Sequence, residues 1–233
     1  MKIVRPKSLT EMVADEVRTR IIDGRIRLGA GLSEQSLAAE LGISKTPVRE
    51  ALLQLKQEGL VQVQPQRGTY VFRLESDQVT QISELREVLE LAAARAALQR
   101  NAEALAARMA ALLEGMRKAF ERDDRVAYRR LDGDYHDAII DLCGNDYIRT
   151  AYRQISFCIA ALRSRLSNEV QLNKASLADH REMLRLVKQR DGAALARLMR
   201  AHIEQTKRSY LDVLERGAFD VEDPVGSRVA QRR

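Results

Sequence analysis

Between residues 32 and 72 the apolar positions change period twice. After Ser33, an N-cap residue, Leu37, Ala38 and Leu41 recur at helical spacing, and Gly42 stops the helix. Ser44 offers a second N-cap almost at once. Pro47 follows in the first turn, where its missing N–H costs no intrahelical hydrogen bond. Val48, Ala51, Leu52 and Leu55 form the buried side of this second helix, which leaves Lys45, Thr46, Arg49 and Gln54 on or near its exposed side towards the N-terminal end. Gly59 ends it. Val61-Gln62-Val63 and Thr69-Tyr70-Val71 then alternate as short strands across Pro65, Gln66, Arg67 and Gly68, a hairpin with Arg67 at its tip. Upstream, Ser8 and Glu11 form a capping box for a helix through about Ile22, whose Val13, Val17, Ile21 and Ile22 supply the third side of a small core. The order is that of a winged helix-turn-helix, whose second helix enters the DNA major groove. Residues 1–73 are therefore expected to form a reader of duplex DNA.

From Ser76 onward the pattern is different. A short polar joint, residues 74–77, leads into almost continuous helical periodicity with no proline until Pro224. Six helices are expected, over 78–100, 102–121, 124–143, 145–166, 170–189 and 192–215. Breaks fall at Asn101, Arg122-Asp123-Asp124, Gly144-Asn145, Ser167-Asn168 and Asp191-Gly192. The tail, 217–233, lacks periodicity and reads as disordered. The fold class is mainly α: a winged helix-turn-helix followed by an all-α six-helix bundle over 78–216.

Composition fits this division. The 233 residues are enough for two domains, and 4% aromatics with no Trp favour cores of Leu and Ala between helices. A net charge of +6 favours a polyanionic partner. Lys2, Arg5 and Lys7 read either as a basic arm on DNA or as a solvated terminus. No signal peptide and no apolar run of about 18 residues is present, so no membrane partner is expected. With Cys143 and Cys158 read as buried core thiols, the chain is placed in a reducing cytoplasm.

The three histidines, His136, His180 and His202, all lie in the helical region. Asp132 and His136 are i and i+4 on one helix and project from the same face. Asp191 lies midway between His180 and His202, 11 residues from each. In an antiparallel helical hairpin, residues equidistant from the bend stand opposite one another, and this separation is close to three turns at about 3.6 residues per turn. The two imidazoles should face each other. If the Asp132/His136 face packs on that hairpin, three nitrogens and a carboxylate converge on one ion. Spacing alone leaves a second reading open, in which each histidine is an ordinary polar residue on a helix.

The run LSEQSLAAELGISKTPVREALLQLKQEGLV, followed by RGTYV, resembles the DNA-binding domain of the GntR family of bacterial transcription regulators. The resemblance implies that Lys45 and Arg49 contact bases or phosphates, with Ser44 and Thr46 beside them, and that Gly68 lets the wing approach the minor groove. Gln35 and Lys45 stand where the family often has Arg, and lysine lacks arginine's bidentate fork to guanine, so the operator sequence does not transfer from relatives. The helical region is similar to the FCD type of ligand-binding domain in the FadR branch, in its shorter VanR-like form. That resemblance implies metal ligands at Asp132, His136, His180 and His202, and an effector-binding Arg86 on the first helix of the domain. A plainer role for Arg86 is an exposed ion pair with Glu90 at i+4. Arg163 and Arg165, on the fourth helix, could reach the pocket but are left out of the site.

Three histidines and a carboxylate suit a divalent transition metal, with zinc first and Ni, Mn or Fe(II) as alternatives, rather than Ca or Mg. The expected function is a transcription regulator, as a rule a repressor, that binds a palindromic operator as a homodimer and responds to a small carboxylate effector. A direct metal sensor is the first alternative. A metal-dependent enzyme with a DNA-binding appendage is the second, disfavoured because no Glu, Ser or Cys is spaced as a base or nucleophile beside the ligands.

Overall fold

The computed structural model describes residues 6–73, 75–166 and 170–216. Its N-terminal part runs α1 (Leu9–Ile22), β1 (Gly31–Leu32), α2 (Glu34–Leu41), α3 (Lys45–Gln57), β2 (Val61–Gln64) and β3 (Gly68–Val71). The capping box that opens α1 is complete: the Glu11 amide donates to Ser8 Oγ at 3.1 Å and the Ser8 amide to the Glu11 carboxylate at 2.7 Å. Ser33 caps α2 through the Ser36 amide, and Gly42 closes it in the left-handed region, φ +67°. Ser44 occupies the N-cap of α3, although its side chain makes no capping hydrogen bond.

The wing hairpin pairs Val61 with Val71 and Gln64 with Gly68, antiparallel. A third strand not anticipated from the sequence, β1, adds to the other side of β3 through Gly31 opposite Tyr70. Two residues are too few to show a period, and this pairing is tertiary. Alternation in β2 is also incomplete, because Val61 is buried whereas Val63 is 46% exposed.

The helical part comprises α4 (Ser76–Glu121), α5 (Arg125–Asp141), α6 (Asp146–Leu166), α7 (Val170–Gln189) and α8 (Gly192–Glu215). The break expected at Asn101 is present: the backbone leaves helical geometry there (φ −141°, ψ 33°), so that α4 consists of two helices joined by a kink. Asn101 Nδ2 donates to the Leu142 carbonyl at 2.8 Å, and Arg100 to the Cys143 and Gly144 carbonyls. The bend thus satisfies the orphan carbonyls where α5 ends. Asp124 and Asp191 cap α5 and α8, as their positions at chain breaks required. The joint residue 74, the 167–168 break, the tail 217–233 and the arm residues Lys2 and Arg5 lie outside the described residues. Lys7 pairs with Asp15. Both cysteines are buried free thiols. No described helix is long and apolar enough to cross a membrane.

The two parts share a core. Val13, Val17 and Ile21 of α1 and Val48, Leu52 and Leu55 of α3 belong to one apolar cluster with Cys158, Ala161 and Leu162 of α6 and Tyr210 and Val213 of α8. Arg18 of α1 lies over the Phe157 ring of α6, 4.8 Å from its centroid, while it pairs with Asp15 and Glu58. The winged helix is therefore seated on α6 by packing as well as by connectivity. Truncating the fully buried Leu162 removes a side chain that both parts use. Leu162→Ala is expected to lower stability by about 2–5 kcal/mol, measured by urea unfolding, with the transitions of both parts moving together.

Candidate metal centre and DNA-reading face

α5, α7 and α8 bring His136, His180 and His202 together in the bundle, all buried. Each histidine offers a ring nitrogen such that the three lie within 4.8 Å of one another, and His136 Nε2 is 3.3 Å from His180 Nε2. Ring centroids are 5.2 Å apart for 136 and 180, 5.5 Å for 136 and 202, and 5.0 Å for 180 and 202. The helical-hairpin geometry expected for His180 and His202 is present, and the α5 face packs onto it.

Two carboxylates orient the rings from outside the cluster. His136 Nδ1 lies 2.9 Å from Glu90 Oε2, and His202 Nδ1 lies 3.0 Å from Asp179 Oδ2. With Nδ1–H donated outward, Nε2 keeps its lone pair towards the cluster, the arrangement that second-shell carboxylates give to metal-binding histidines. Tyr135 donates to the His180 carbonyl at 2.7 Å and fixes that turn of α7. Burial pushes His136 down to about 4, against the pull of Glu90, and carries His180 well below the usual histidine range. Both are neutral and able to act as ligands.

Asp132 stands beside this cluster. Its Oδ1 is 3.8 Å from His180 Nδ1, and its Oδ2 accepts an ion pair from Arg163 Nε at 3.2 Å. Burial opposes its ionisation, but Arg163 and the histidines outweigh burial and hold its carboxyl below the usual range. Arg86 is not the exposed residue that the plain ion-pair reading required. It is 2% exposed, donates to Glu90 Oε1 at 2.7 Å, and lays Nη2 against the His136 ring. Tyr152 donates to the same Glu90 oxygen at 3.0 Å. Arg86, Asp132, Arg163, His202 and Tyr210 line a cavity of about 70 Å³ next to the histidines.

The donor set fits a transition metal: three converging imidazoles, those of His136 and His180 neutral, an adjacent ionised carboxylate, and a buried His180 Nδ1 with no hydrogen-bond partner. Glu90 and Asp179 escaped the sequence reading as parts of the site, Glu90 carrying only the signal of its i+4 spacing from Arg86, and Arg163, considered for the pocket but left out of the site, does line the cavity.

At the other end of the molecule, Gln35, Ser44, Lys45, Thr46, Arg49, Arg67 and Gly68 are all exposed. Glu34, at the start of α2, accepts Arg49 through both carboxylate oxygens at 3.0–3.2 Å. Gln54 departs from the expected surface position: it is half-buried and donates to Glu58. At the wing tip Gln66 (φ +62°) and Gly68 (φ +117°) turn the chain, and Tyr70 Oη donates to the Arg67 carbonyl. The α3 N-terminus and the wing thus present a polar, basic surface.

Comparison with known families matches residues 9–71 to the bacterial regulatory proteins of the gntR family and residues 81–205 to the FCD domain. The chain belongs to the GntR family. It is 31% identical over 209 residues to an HTH-type transcriptional regulator of Streptomyces ambofaciens, covering 86% of this chain and 83% of the relative. It is 27% identical over 197 residues to the transcriptional repressor RspR of Escherichia coli K12, covering 84% and 86%. The gluconate operon repressor of Bacillus subtilis is 26% identical over 206 residues, covering 86% and 84%. A GntR regulator structure from Rhodococcus sp. RHA1 shares the fold with TM-score 0.78 at 24% identity, covering 88% of this chain and 99% of that one. The E. coli McbR/YncC structure does so with TM-score 0.78 at 23% identity, covering 90% and 100%.

This GntR-family protein is a DNA-binding transcription regulator whose FCD domain places three histidines where an ion can be held. Within that domain Glu90 is the shared partner of Arg86, His136 and Tyr152. Glu90→Ala strands a buried guanidinium, and a loss of about 3–5 kcal/mol is expected in urea unfolding of the metal-free protein. A loss within the range of surface substitutions, about 0.5 kcal/mol, would show that the pair is not the anchor its burial indicates.

Proposed function

We propose that this regulator is a repressor that binds a palindromic operator as a homodimer in the bacterial cytoplasm. In this reading it holds a transition metal, zinc first, on Asp132, His136, His180 and His202, and releases or re-sets its grip on DNA when a small organic acid enters the adjacent cavity. The observation that carries the reading is the buried cluster of three histidines, one of which, His202, lines a cavity walled by Arg86 and Arg163. A bound metal would supply a Lewis-acid position for a carboxylate oxygen. Around it, the arginines supply positive charge, and Asn173, Ser176, Gln205, Thr206 and Ser209 offer hydrogen-bonding groups suited to hydroxyls. A hydroxylated acid is the first class to test, and two relatives of this chain are named as repressors of gluconate operons.

On the DNA side, Lys45 and Arg49 work from the recognition helix with Ser44, Thr46 and Gln35 near the backbone, and Arg67 and Gly68 bring the wing to the minor groove. Two half-sites about one duplex turn apart, ~34 Å, require two winged helices at a fixed angle. Effector binding shifts the population of that angle, and a coupling of about 1–3 kcal/mol is sufficient for regulation.

Elemental analysis of the purified chain is expected to find about one transition metal per chain, lost in His180→Ala, with affinity lowered about 10–100-fold in Asp179→Asn. No metal in the wild type after incubation with zinc would end the metal part of the reading. DNA affinity that responds to metal alone, with no added acid, would make the protein a direct metal sensor. Arg49→Ala is expected to weaken binding to a selected operator by about 1–3 kcal/mol and to relax specificity at one base position. Unchanged binding would remove Arg49 from the contacts.

A further inference from the structure

Among the described residues, three buried side-chain polar atoms have no hydrogen-bond partner: His180 Nδ1, Arg163 Nη2 and Tyr210 Oη. His180 belongs to the metal cluster. The other two come from different helices, α6 and α8, and line the same cavity beside it. A buried donor without a partner costs free energy, and two in one small cavity call for a common acceptor.

The other arginines of that cavity have their partners. Arg86 is committed to Glu90, and Arg129 Nη1 donates to the Ser164 carbonyl and hydroxyl, both at 3.2 Å. Arg163 spends Nε on Asp132 and leaves Nη2 unpaired, with its side chain 10% exposed. Tyr210 is 1% exposed. An N–H of a guanidinium and a phenolic O–H are matched by an acceptor-only group carrying negative charge, which is a carboxylate.

We propose that Arg163 and Tyr210, rather than Arg86, receive the anionic group of the effector, and that α6 reports its arrival to the winged helix. The inference rests on the effector reading given above and assigns its recognition. The cavity is about 70 Å³, well below the roughly 150 Å³ that accommodates benzene. Its ligand is therefore a short-chain acid, or a longer one whose remainder extends through the mouth.

Arg163 also forms a wall of a second, larger cavity of about 440 Å³, which lies between Thr19 and Ile22 of α1, with Asp23 just after it, and Val126 and Phe157 of the helical domain. The same helix carries Phe157 under Arg18 and places Cys158, Ala161 and Leu162 in the core of the DNA-binding domain. A carboxylate that draws Arg163 inward alters the cleft on which α1 rests. Occupancy and the seat of α1 thus meet at one residue.

The test uses the full zinc-loaded chain, with acetate as the minimal carboxylate and D-gluconate as a hydroxylated one, titrated calorimetrically into wild type, Arg163→Gln, Tyr210→Phe and the exposed control Arg200→Gln. Tyr210→Phe, which keeps the ring in place, is expected to lose about tenfold in affinity, and Arg163→Gln about tenfold or more, both retaining the wild-type zinc content. Hydrogen exchange of α1 is expected to change on ligand addition in wild type and not in Arg163→Gln. Wild-type affinity in Tyr210→Phe overturns the inference and leaves the effector reading standing. This variant decides the matter if Arg163→Gln does not fold. Absence of binding of either acid to zinc-loaded wild type overturns the effector reading itself.

Discussion

The Arg86 guanidinium and the Glu90 carboxylate are withdrawn from water together, 2% and 0% exposed, and neither is tenable there without the other. Their pairing determines what else the centre of the bundle can hold. Glu90 keeps its charge because Arg86 and His136 outweigh the burial that opposes it. Its second oxygen faces His136 Nδ1, so the free lone pair of that ring points at His180 and His202. One carboxylate on α4 thereby orients a ring on α5 and holds a cation at the cavity wall. Arg163 and Asp132 repeat the arrangement a short distance away, linking α6 to α5. The bundle thus balances two buried cations with two carboxylates and keeps His136 and His180 neutral between them.

This balance makes α6 the mechanically interesting helix. One side of it carries Arg163 into the polar centre. Another carries Cys158, Ala161 and Leu162 into the core of the winged helix. Packed interfaces of this kind have discrete arrangements and do not deform smoothly, so a change of partner at Arg163 has few ways to be absorbed locally. The nearby cleft between α1 and the helical domain provides the room for a second arrangement.

Much of this was legible in the chain because it depends on local period. The N-terminal end of α1, both ends of α2, the end of α7 and the start of α8 follow from caps and breaks at Ser8, Ser33, Gly42 and Asp191-Gly192, and the facing of His180 and His202 follows from their equal distance from a turn. What escaped depends on contacts between distant segments. β1 exists only because β3 is there to pair with it. The break at Asn101 was legible, but not the hydrogen bond that its side chain gives to the Leu142 carbonyl at the end of α5. Arg163 looks like one basic residue among several on an amphipathic helix until α5 places Asp132 against it, and Asp179 looks like a solvated acid until α8 places His202 3.0 Å away. Arg86 shows the limit of the i+4 rule: the pairing with Glu90 is correct, but burial, which the rule does not address, changes it from surface decoration to an anchor.

The DNA-reading face obeys the opposite electrostatic regime. Arg49 and Glu34 are 66% and 31% exposed, so water and salt screen their pair strongly despite the two-oxygen geometry. A bond that weak restrains the long Arg49 side chain without preventing its transfer to DNA, which lowers the rotamer entropy lost on binding. Lys45, one turn earlier, is a point charge and cannot fork onto a guanine edge. In the proposed complex, discrimination between bases therefore concentrates on Arg49, while Lys45 adds a phosphate contact whose strength falls with salt. An operator chosen by this chain should accordingly be specified more narrowly at the Arg49 position and more loosely at the Lys45 position.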